Sequence, residues 1–267
     1  MQPTLNIALR AARIAGEQVA RAIERLDIIR SEQESVSEFI HDTAAGAEKS
    51  VAYHLQKANP HHRVIGMHSG PVGEKVEGSD YEWLVNPIDG LTNFSHSLPC
   101  FALTLICKHK GRAEHAVILN PITGEEFTAS RGRGAQLNGR RLRVSPQKIL
   151  QDSLIGASYL SADAARPGLE QHLEISKRIS RQGAEIQQNG SPALTLAYLA
   201  AGRMDGGWFQ GLTEWELEPG LLLLQESGGL SSDFIGGNAI MARGELVAAN
   251  AKLFKVLLQA IRPVLDH

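Results

Sequence analysis

The stretch Trp83-Leu-Val-Asn-Pro-Ile-Asp-Gly-Leu-Thr-Asn-Phe94 combines a strand signal with a helix start. Its first three residues predict a strand, and the segment that begins at Gly90 is expected to open a helix. A helix start carries free backbone N–H groups and a favourable dipole, which can hold an anion without any metal. An equally simple interpretation is that Asp89 and Thr92 only cap and satisfy this turn.

Upstream of this stretch the sequence predicts two helices. Apolar residues recur at steps of three and four from Leu5 to Ile23, which indicates one face of a long amphipathic helix packed on a sheet. A second helix is expected over residues 44–56, and Val64-Ile65 predicts a short strand after it. The polar segment 66–79 is expected to be a loop or a hairpin.

Downstream, apolar runs at 101–107, 116–119 and 126–129 predict successive strands of an antiparallel sheet. Asn138-Gly139 is a strong signal for a two-residue hairpin turn. Five arginines lie between Arg131 and Val144, around that turn. They fit the solvated flanks of a hairpin, and the alternative interpretation is a patch that binds nucleic acid.

The second half of the chain predicts alternating strands and helices. Strands are expected at 154–155 and 246–249, and helices at 169–179, 193–201, 217–226 and 251–261. We therefore expect an N-terminal α+β half over residues 1–145 and a C-terminal α/β half over residues 146–267. No low-complexity linker separates them, so the halves are expected to share an extensive interface and form one compact unit.

Composition limits the classes of function that are open to the chain. Its 267 residues are 43% hydrophobic, which suffices for a continuous core, and 27 Lys and Arg stand against 29 Asp and Glu. This balance gives no overall field that would gather nucleic acid or a membrane surface. We expect a cytoplasmic protein without a membrane span, in which Cys100 and Cys107 are buried thiols.

The central stretch resembles the signature of the inositol monophosphatase family, W-x-x-D-P-[IL]-D-G-T-T-N-F. Further matching pieces follow in family order along the chain: Gly190-Ser191, Ala200-Ala-Gly-Arg-Met-Asp205, Gly211-Leu-Thr-Glu-Trp215-Glu216 and Glu226-Ser-Gly-Gly-Leu-Ser-Ser-Asp233. The opening helix and the segment 127–139 look closest to the SuhB-like branch of proteobacteria. The resemblance implies an α/β protein with the layered αβαβα sugar-phosphatase fold, usually a homodimer.

The resemblance also implies a magnesium site and a phosphate site. By position, Asn86, the Ile88 carbonyl, Asp89 and Glu216 match the family's metal ligands. The positions that match the phosphate-binding and substrate-binding segments are Gly90, Leu91, Thr92, Gly190 and Ser191.

Several of these positions depart from the family pattern. Met67 stands where a metal-binding carboxylate is expected, Asn86 replaces an aspartate, and Leu91 replaces the threonine that positions the attacking water. A thioether is a poor ligand for magnesium, and a hydrocarbon cannot orient water. Outside the ligands, five further positions depart from the family pattern: Glu34, His41, Ala44, Pro192 and Phe209.

Two functions remain open at this point. The departures favour a protein that has lost hydrolysis and acts by binding, and the SuhB-like branch implies a Nus-type factor with NusA and RNA polymerase as partners. The alternative is a magnesium-dependent inositol-1-monophosphatase with a reduced site. It would need a replacement ligand, for which Glu218, Glu74 and Glu77 are the candidates. A third possibility is that the altered site binds a phosphate or sugar-phosphate anion without cleaving it.

Overall fold

A computed structural model of the protein describes residues 2–32, 35–160 and 168–265. Within these residues the elements follow this order: α1 (Pro3–Ser31), α2 (Val36–Ala58), β1 (Arg63–Gly66), β2 (Gly70–Val72), β3 (Tyr81–Asp89), α3 (Leu91–Ser95), β4 (Ala102–His109), β5 (Arg112–Asn120), β6 (Glu125–Ser130), β7 (Gly134–Leu137), β8 (Arg140–Arg141), β9 (Leu154–Tyr159), α4 (Leu169–Ser180), β10 (Glu185–Gln187), α5 (Pro192–Ala200), β11 (Gly206–Gln210), α6 (Glu214–Glu226), β12 (Leu230–Ser232), α7 (Ile240–Arg243), β13 (Glu245–Ala249) and α8 (Ala251–Leu265).

The N-terminal half contains an eight-stranded sheet in the order β2-β1-β3-β4-β5-β6-β7-β8. The predicted antiparallel arrangement is confirmed from β3 to β8. No pairing was predicted for β1, which pairs with β3 in parallel. The segment 66–79 forms the predicted hairpin through β2. Asn138 and Gly139 both have positive φ values, 49° and 79°, as a two-residue turn of this type requires.

Alternating side chains of this sheet enter two different cores. Val85, Leu103 and Leu105 pack with α1 and α2 on one face. Leu84 and Ile106 point to the opposite face and pack with residues of α5 and α6. The period of two along the strands therefore places helices on both faces of the sheet.

The C-terminal half contains a five-stranded sheet in the order β10-β9-β11-β13-β12. One face packs on α5 and α6, through Leu196 and Phe209 among others. The other face packs on α4 and α8. The layers therefore run α1 and α2, first sheet, α5 and α6, second sheet, α4 and α8, which confirms the expected αβαβα order.

Several element boundaries differ from the sequence expectation for local physical reasons. α2 begins at Val36, eight residues early, because the Ser35 hydroxyl accepts a hydrogen bond from the Glu38 N–H (3.2 Å). α6 begins at Glu214 because Thr213 and Glu216 form a capping box. α8 continues through Pro263 to Leu265. The short strands β10, β11 and β12 were not predicted, since three to five residues carry too little periodicity. None of the described helices combines the length and apolar character needed to cross a membrane.

Glu48 is a buried carboxylate that the sequence analysis did not single out. It lies on α2 with no exposed surface and accepts hydrogen bonds from the N–H groups of His68 (2.8 Å) and Ser69 (3.0 Å). A Cβ atom at Gly66 would lie 2.3 Å from this carboxyl group. Glu48 therefore fixes the turn between β1 and β2, and the turn requires glycine beside it.

We predict that Glu48→Gln destabilises the protein by about 1–3 kcal/mol, because one of the two backbone N–H groups then faces an amide NH₂ instead of an acceptor. Urea unfolding followed by circular dichroism measures the change. Glu24→Gln, on the exposed face of α1, is the matched control and is expected to be close to neutral. Equal stability of both variants would show that Glu48 does not hold the turn.

Candidate functional site

The site lies where β3 ends and α3 begins, next to the start of α5. Gly90 has a φ of 99°, and a Cβ atom there would lie 3.0 Å from the Cys100 carbonyl oxygen and 3.3 Å from the Gly190 oxygen. Only glycine fits this position without strain. The segment around Gly190 therefore packs directly on the turn after β3, as the matched motifs implied.

A second contact joins the same two segments. The Asn93 side-chain amide donates hydrogen bonds to the carbonyl oxygens of Cys100 (2.6 Å) and Asn189 (2.7 Å). Asn189 in turn accepts bonds from the Ser191 N–H and the Thr195 hydroxyl, both at 2.9 Å. The turn after β3 and the loop before α5 are thereby held as one rigid unit.

Asp89 is the most deeply buried acidic group of this unit. Its side chain accepts hydrogen bonds from the Ser191 hydroxyl and from the Ala193 N–H (3.0 Å). Burial raises the pKa of Asp89 to about 7, the two hydrogen bonds oppose the rise, and the charge of Glu216 adds to it. Near neutral pH a large fraction of this carboxyl group is therefore protonated.

Ser191 holds both Asp89 and its own helix. Its hydroxyl oxygen accepts the Leu194 N–H (3.3 Å) at the start of α5 while donating its hydrogen to Asp89. Gly190 and Ser191, predicted as binding residues, thus stand beside Asp89, and Pro192 is the first residue of α5. Ser191 is itself only 1% exposed, so its hydroxyl serves a contact inside the protein.

Asn86 and Glu216 use their side chains in local contacts. The Asn86 amide oxygen accepts the N–H of Ile88 (3.2 Å), two residues ahead in the same turn. The Glu216 carboxylate accepts the N–H of Thr213 (2.8 Å) and the Thr213 hydroxyl, and so closes the first turn of α6. Glu216 remains close enough to Asp89 to act on its pKa, although the carboxylate is directed to its own cap.

Met67 and Leu91 are exposed, at 39% and 44%, and Leu91 lines a cleft of about 380 Å³. The cleft lies between α2, the turn after β1 and α3. Its lining residues are Val36, Ser37, Ile40, His41, His68, Leu91, Thr92 and Ser95. They include no carboxylate. Of the α2 members, His41 matches a threonine of a family segment, whereas Val36, Ser37 and Ile40 were not predicted as site residues. The spacing of Val36, Ile40 and His41 at the start of a helix indicates one face.

Two histidines meet at this cleft. The rings of His41 and His68 stand edge to face with centroids 6.2 Å apart. Burial lowers the pKa of His68, the charge of Glu48 opposes the change, and His41 lowers the pKa further. His68 is therefore mostly neutral at pH 7. Its ring can form hydrogen bonds but carries no negative charge.

The three carboxylates considered as replacement ligands lie elsewhere. Glu218 pairs with Lys108 at 2.8 Å, and Glu214 approaches the same ammonium group at 2.8 Å. Glu74 and Glu77 line a separate cleft with Val72 and Val76. Throughout residues 2–32, 35–160 and 168–265, no cluster of three or more His, Cys, Asp or Glu side chains is arranged to hold a metal ion.

Three further positions were predicted to depart from the family pattern. Phe209 is fully buried in β11 and packs in the core between α6 and the second sheet. Ala44 is fully buried on α2 and belongs to the core that α1 and α2 share. Glu34 lies outside the described residues.

Comparison with known proteins identifies relatives along nearly the whole chain. Residues 1–265 match the inositol monophosphatase family model. A protein of Pseudomonas aeruginosa named Nus factor SuhB is 48% identical over 263 residues, which cover 98% of this chain and 97% of that protein. The Nus factor SuhB of Escherichia coli K12 is 38% identical over 268 residues, covering 100% of this chain and 98% of that protein.

Solved structures give the same result at the level of the fold. The extragenic suppressor protein SuhB of Bartonella henselae superposes with a TM-score of 0.85 at 31% identity, covering 98% of this chain and 100% of that one. An inositol monophosphatase from Anabaena superposes with a TM-score of 0.83 at 26% identity, covering 97% and 95%. With the layered fold and the signature around Asp89, these likenesses show that the chain belongs to the inositol monophosphatase family and resembles its SuhB-named members.

Proposed function

We propose that this chain is a SuhB-like protein that binds partners in a transcription complex and does not itself hydrolyse phosphate esters. The observation that carries the proposal is the state of Asp89, whose side chain is held by Ser191 and Ala193 inside the protein. A carboxylate that binds a hard cation directs an ionised oxygen at it, and such a carboxylate is commonly hydrogen-bonded within the protein as well. In Asp89 one oxygen, Oδ2, accepts both hydrogen bonds, and a pKa of about 7 leaves part of the carboxyl group uncharged near neutral pH.

The other side chains at the site do not fit a magnesium centre. Metal-assisted hydrolysis requires several oxygen ligands with negative charge around two or more cations. Here Asn86 supplies an uncharged amide that is engaged with Ile88, and Glu216 is engaged with Thr213. Met67 supplies a soft sulfur atom, which suits apolar packing better than a hard cation.

The site also lacks a side chain that could activate a water molecule. Leu91 occupies the start of α3, where its partly exposed side chain faces the cleft. A hydrocarbon neither accepts nor donates a hydrogen bond, so it cannot orient an attacking water. The loss of one well-placed catalytic group commonly costs about 10²–10⁴ in rate. The site therefore supports binding better than turnover.

The retained scaffold suggests which partners the chain binds. Its relatives in Pseudomonas aeruginosa and Escherichia coli are named Nus factors, and the likeness to them extends over essentially the whole chain. By this resemblance we infer a cytoplasmic homodimer that binds NusA and RNA polymerase in ribosomal RNA antitermination. Such a role needs the folded surface and does not need the metal site.

One observation favours the alternative, a magnesium-dependent inositol-1-monophosphatase. Asp89 and Glu216 are close enough for one charge to act on the other, so two carboxyl groups remain at the site. The hydrogen bonds to Asp89 end on Oδ2 and those to Glu216 end on Oε2. An active enzyme would therefore use the other oxygens, Oδ1 and Oε1, to bind a metal ion.

We predict that the wild-type protein neither binds magnesium at millimolar concentration nor releases phosphate from inositol monophosphate. The variant Met67→Glu, Asn86→Asp, Leu91→Thr restores the missing charge and hydroxyl, and we expect it to gain magnesium-dependent turnover by at least about 10²-fold. Calorimetry and a phosphate-release assay measure the two properties. Adding Glu216→Ala to the variant is the control and should abolish the gain. Turnover by the wild type would refute the proposal.

The pH dependence of stability gives a second test. The pKa of an unfolded aspartate is about 3.9, so the folded protein binds the Asp89 proton more tightly and loses stability as pH rises from about 4 to about 7. Asp89→Asn removes this titration. We expect the difference in unfolding free energy, variant minus wild type, to increase by on the order of 3 kcal/mol between pH 4 and pH 7. A constant difference between pH 4 and 7 would mean that Asp89 is already ionised.

Partner binding should be independent of the site. We predict that purified NusA binds the wild type and the Asp89→Asn variant with the same Kd, measured by calorimetry, because the proposed role depends on the outer surface. The Pseudomonas aeruginosa relative serves as the reference under identical conditions. If the relative binds NusA and this chain does not, the proposed partner is wrong.

A further inference from the structure

Two histidines from separate elements meet at the cleft beside the start of α3. His41 lies on α2, and His68 lies in the turn after β1. Their rings stand edge to face, with centroids 6.2 Å apart and an interplanar angle of 89°. Imidazole nitrogens are the commonest protein ligands for transition metals, so this pair of rings is a candidate metal site.

The spacing of the two rings suits one shared metal ion. A zinc ion lies about 2.0–2.1 Å from a ligating imidazole nitrogen, which puts it about 3.2 Å from the centre of that ring. Two rings on one ion therefore have centres at most about 6.4 Å apart, and about 5.2 Å apart at a tetrahedral angle. The observed separation of 6.2 Å lies within this limit. A movement of one ring by about 1 Å would give the tetrahedral arrangement.

The two histidines differ in their freedom to move, and this difference allows that adjustment. The backbone of His68 is fixed, since its N–H donates a hydrogen bond to the buried Glu48 carboxylate at 2.8 Å. The His41 side chain is 61% exposed near the start of α2. A rotation of the His41 side chain alone can therefore bring its ring to an ion that is bound at His68.

The ring nitrogens that a metal would need are available. Within the part of the chain that the structure describes, neither nitrogen of the His68 ring has a hydrogen-bond partner. The Nδ1 atom of His41 lies 3.8 Å from a carboxylate oxygen of Asp42. Metal-binding histidines commonly have a carboxylate beside their other ring nitrogen, because it orients the ring and makes the ligating nitrogen more basic. This arrangement leaves Nε2 of His41 for the metal.

The cleft has room for a metal ion together with its remaining ligands. Its volume is about 380 Å³, and the hydroxyl groups of Ser37, Thr92 and Ser95 belong to its lining. These hydroxyls can accept hydrogen bonds from water molecules that complete the coordination of the ion. The described residues that line the cleft include no carboxylate. The cleft therefore favours a metal that binds nitrogen over magnesium, which requires oxygen ligands.

We propose that His41 and His68 together bind a zinc ion in this cleft, with water in the remaining coordination positions. The protein ligands are neutral nitrogen atoms, so the site differs in chemistry from the magnesium centre that the family pattern implies. It uses neither Asp89 nor Glu216, and it does not depend on the function proposed above. Two protein ligands are fewer than the three or four of most zinc sites, so we expect the ion to exchange readily.

We predict that the protein, without a polyhistidine tag, binds zinc at one site per chain in a calorimetric titration, and that millimolar magnesium does not compete. His41→Ala and His68→Ala should each weaken zinc binding at least about tenfold, because each removes one of two protein ligands. The matched control His54→Ala, His61→Ala removes two histidines near the other end of α2 and should change the Kd less than about twofold. Cobalt is the spectroscopic probe: its visible absorption should change on binding to the wild type and not with His41→Ala.

Three results would overturn the proposal. The wild type could fail to bind zinc, or His41→Ala and His68→Ala could bind it as tightly as the wild type. The third is an equal loss of affinity in the control and in the site variants, which would indicate scattered binding by surface histidines. Thermal melting of each variant by circular dichroism verifies that the fold is intact. His41 is exposed, so His41→Ala decides the test even if His68→Ala does not fold.

Discussion

The burial of the Asp89 carboxyl group between the end of β3 and the start of α5 is the contact on which the site depends. Through Ser191 and Ala193 it joins the first sheet to the helices that separate the two sheets. A buried carboxylate without partners would be strongly unfavourable, and here hydrogen bonds together with a raised pKa reduce that cost. The contact uses one oxygen of the carboxyl group, Oδ2. One interaction therefore holds these layers together at the acidic group of the family signature.

The neighbouring polar groups follow the same pattern. Asn86 satisfies the Ile88 N–H, Glu216 closes the first turn of α6, and Glu48 holds the turn after β1. Each side chain is engaged with the backbone a few residues away or across one packing contact. A hydrolytic site directs several acidic groups at its cations, whereas under the proposed function these side chains serve local contacts. The cleft at the start of α3 is lined by Leu91, Ile40 and two histidines. Under the proposed function, partner binding uses the outer surface.

Much of this arrangement could be predicted from the sequence, and the failures have physical causes. The long strands β3 to β6 and the helices α1, α4, α5 and α8 carry enough periodicity to be recognised, and the resemblance assigned Gly90 and Ser191 to one predicted binding site. The short strands β10 to β12 depend on neighbours that are distant in sequence. Glu48 could not be found because its partners, His68 and Ser69, are about twenty residues away. Thr213-Glu-Trp-Glu216, in contrast, has the spacing of a capping box, a signal that is present in the sequence, although Glu216 was predicted only as a metal ligand.

The most direct test of the central claim is a crystal structure of the protein soaked in millimolar manganese, with anomalous diffraction recorded to locate the ion. Manganese takes the same oxygen ligands as magnesium and scatters strongly enough to be identified. The account predicts no anomalous peak at Asp89, with its side chain still held by Ser191 and Ala193. A peak that bridges Asp89 and Glu216, with Glu216 turned away from Thr213, would contradict the account and show that the reduced ligand set binds metal.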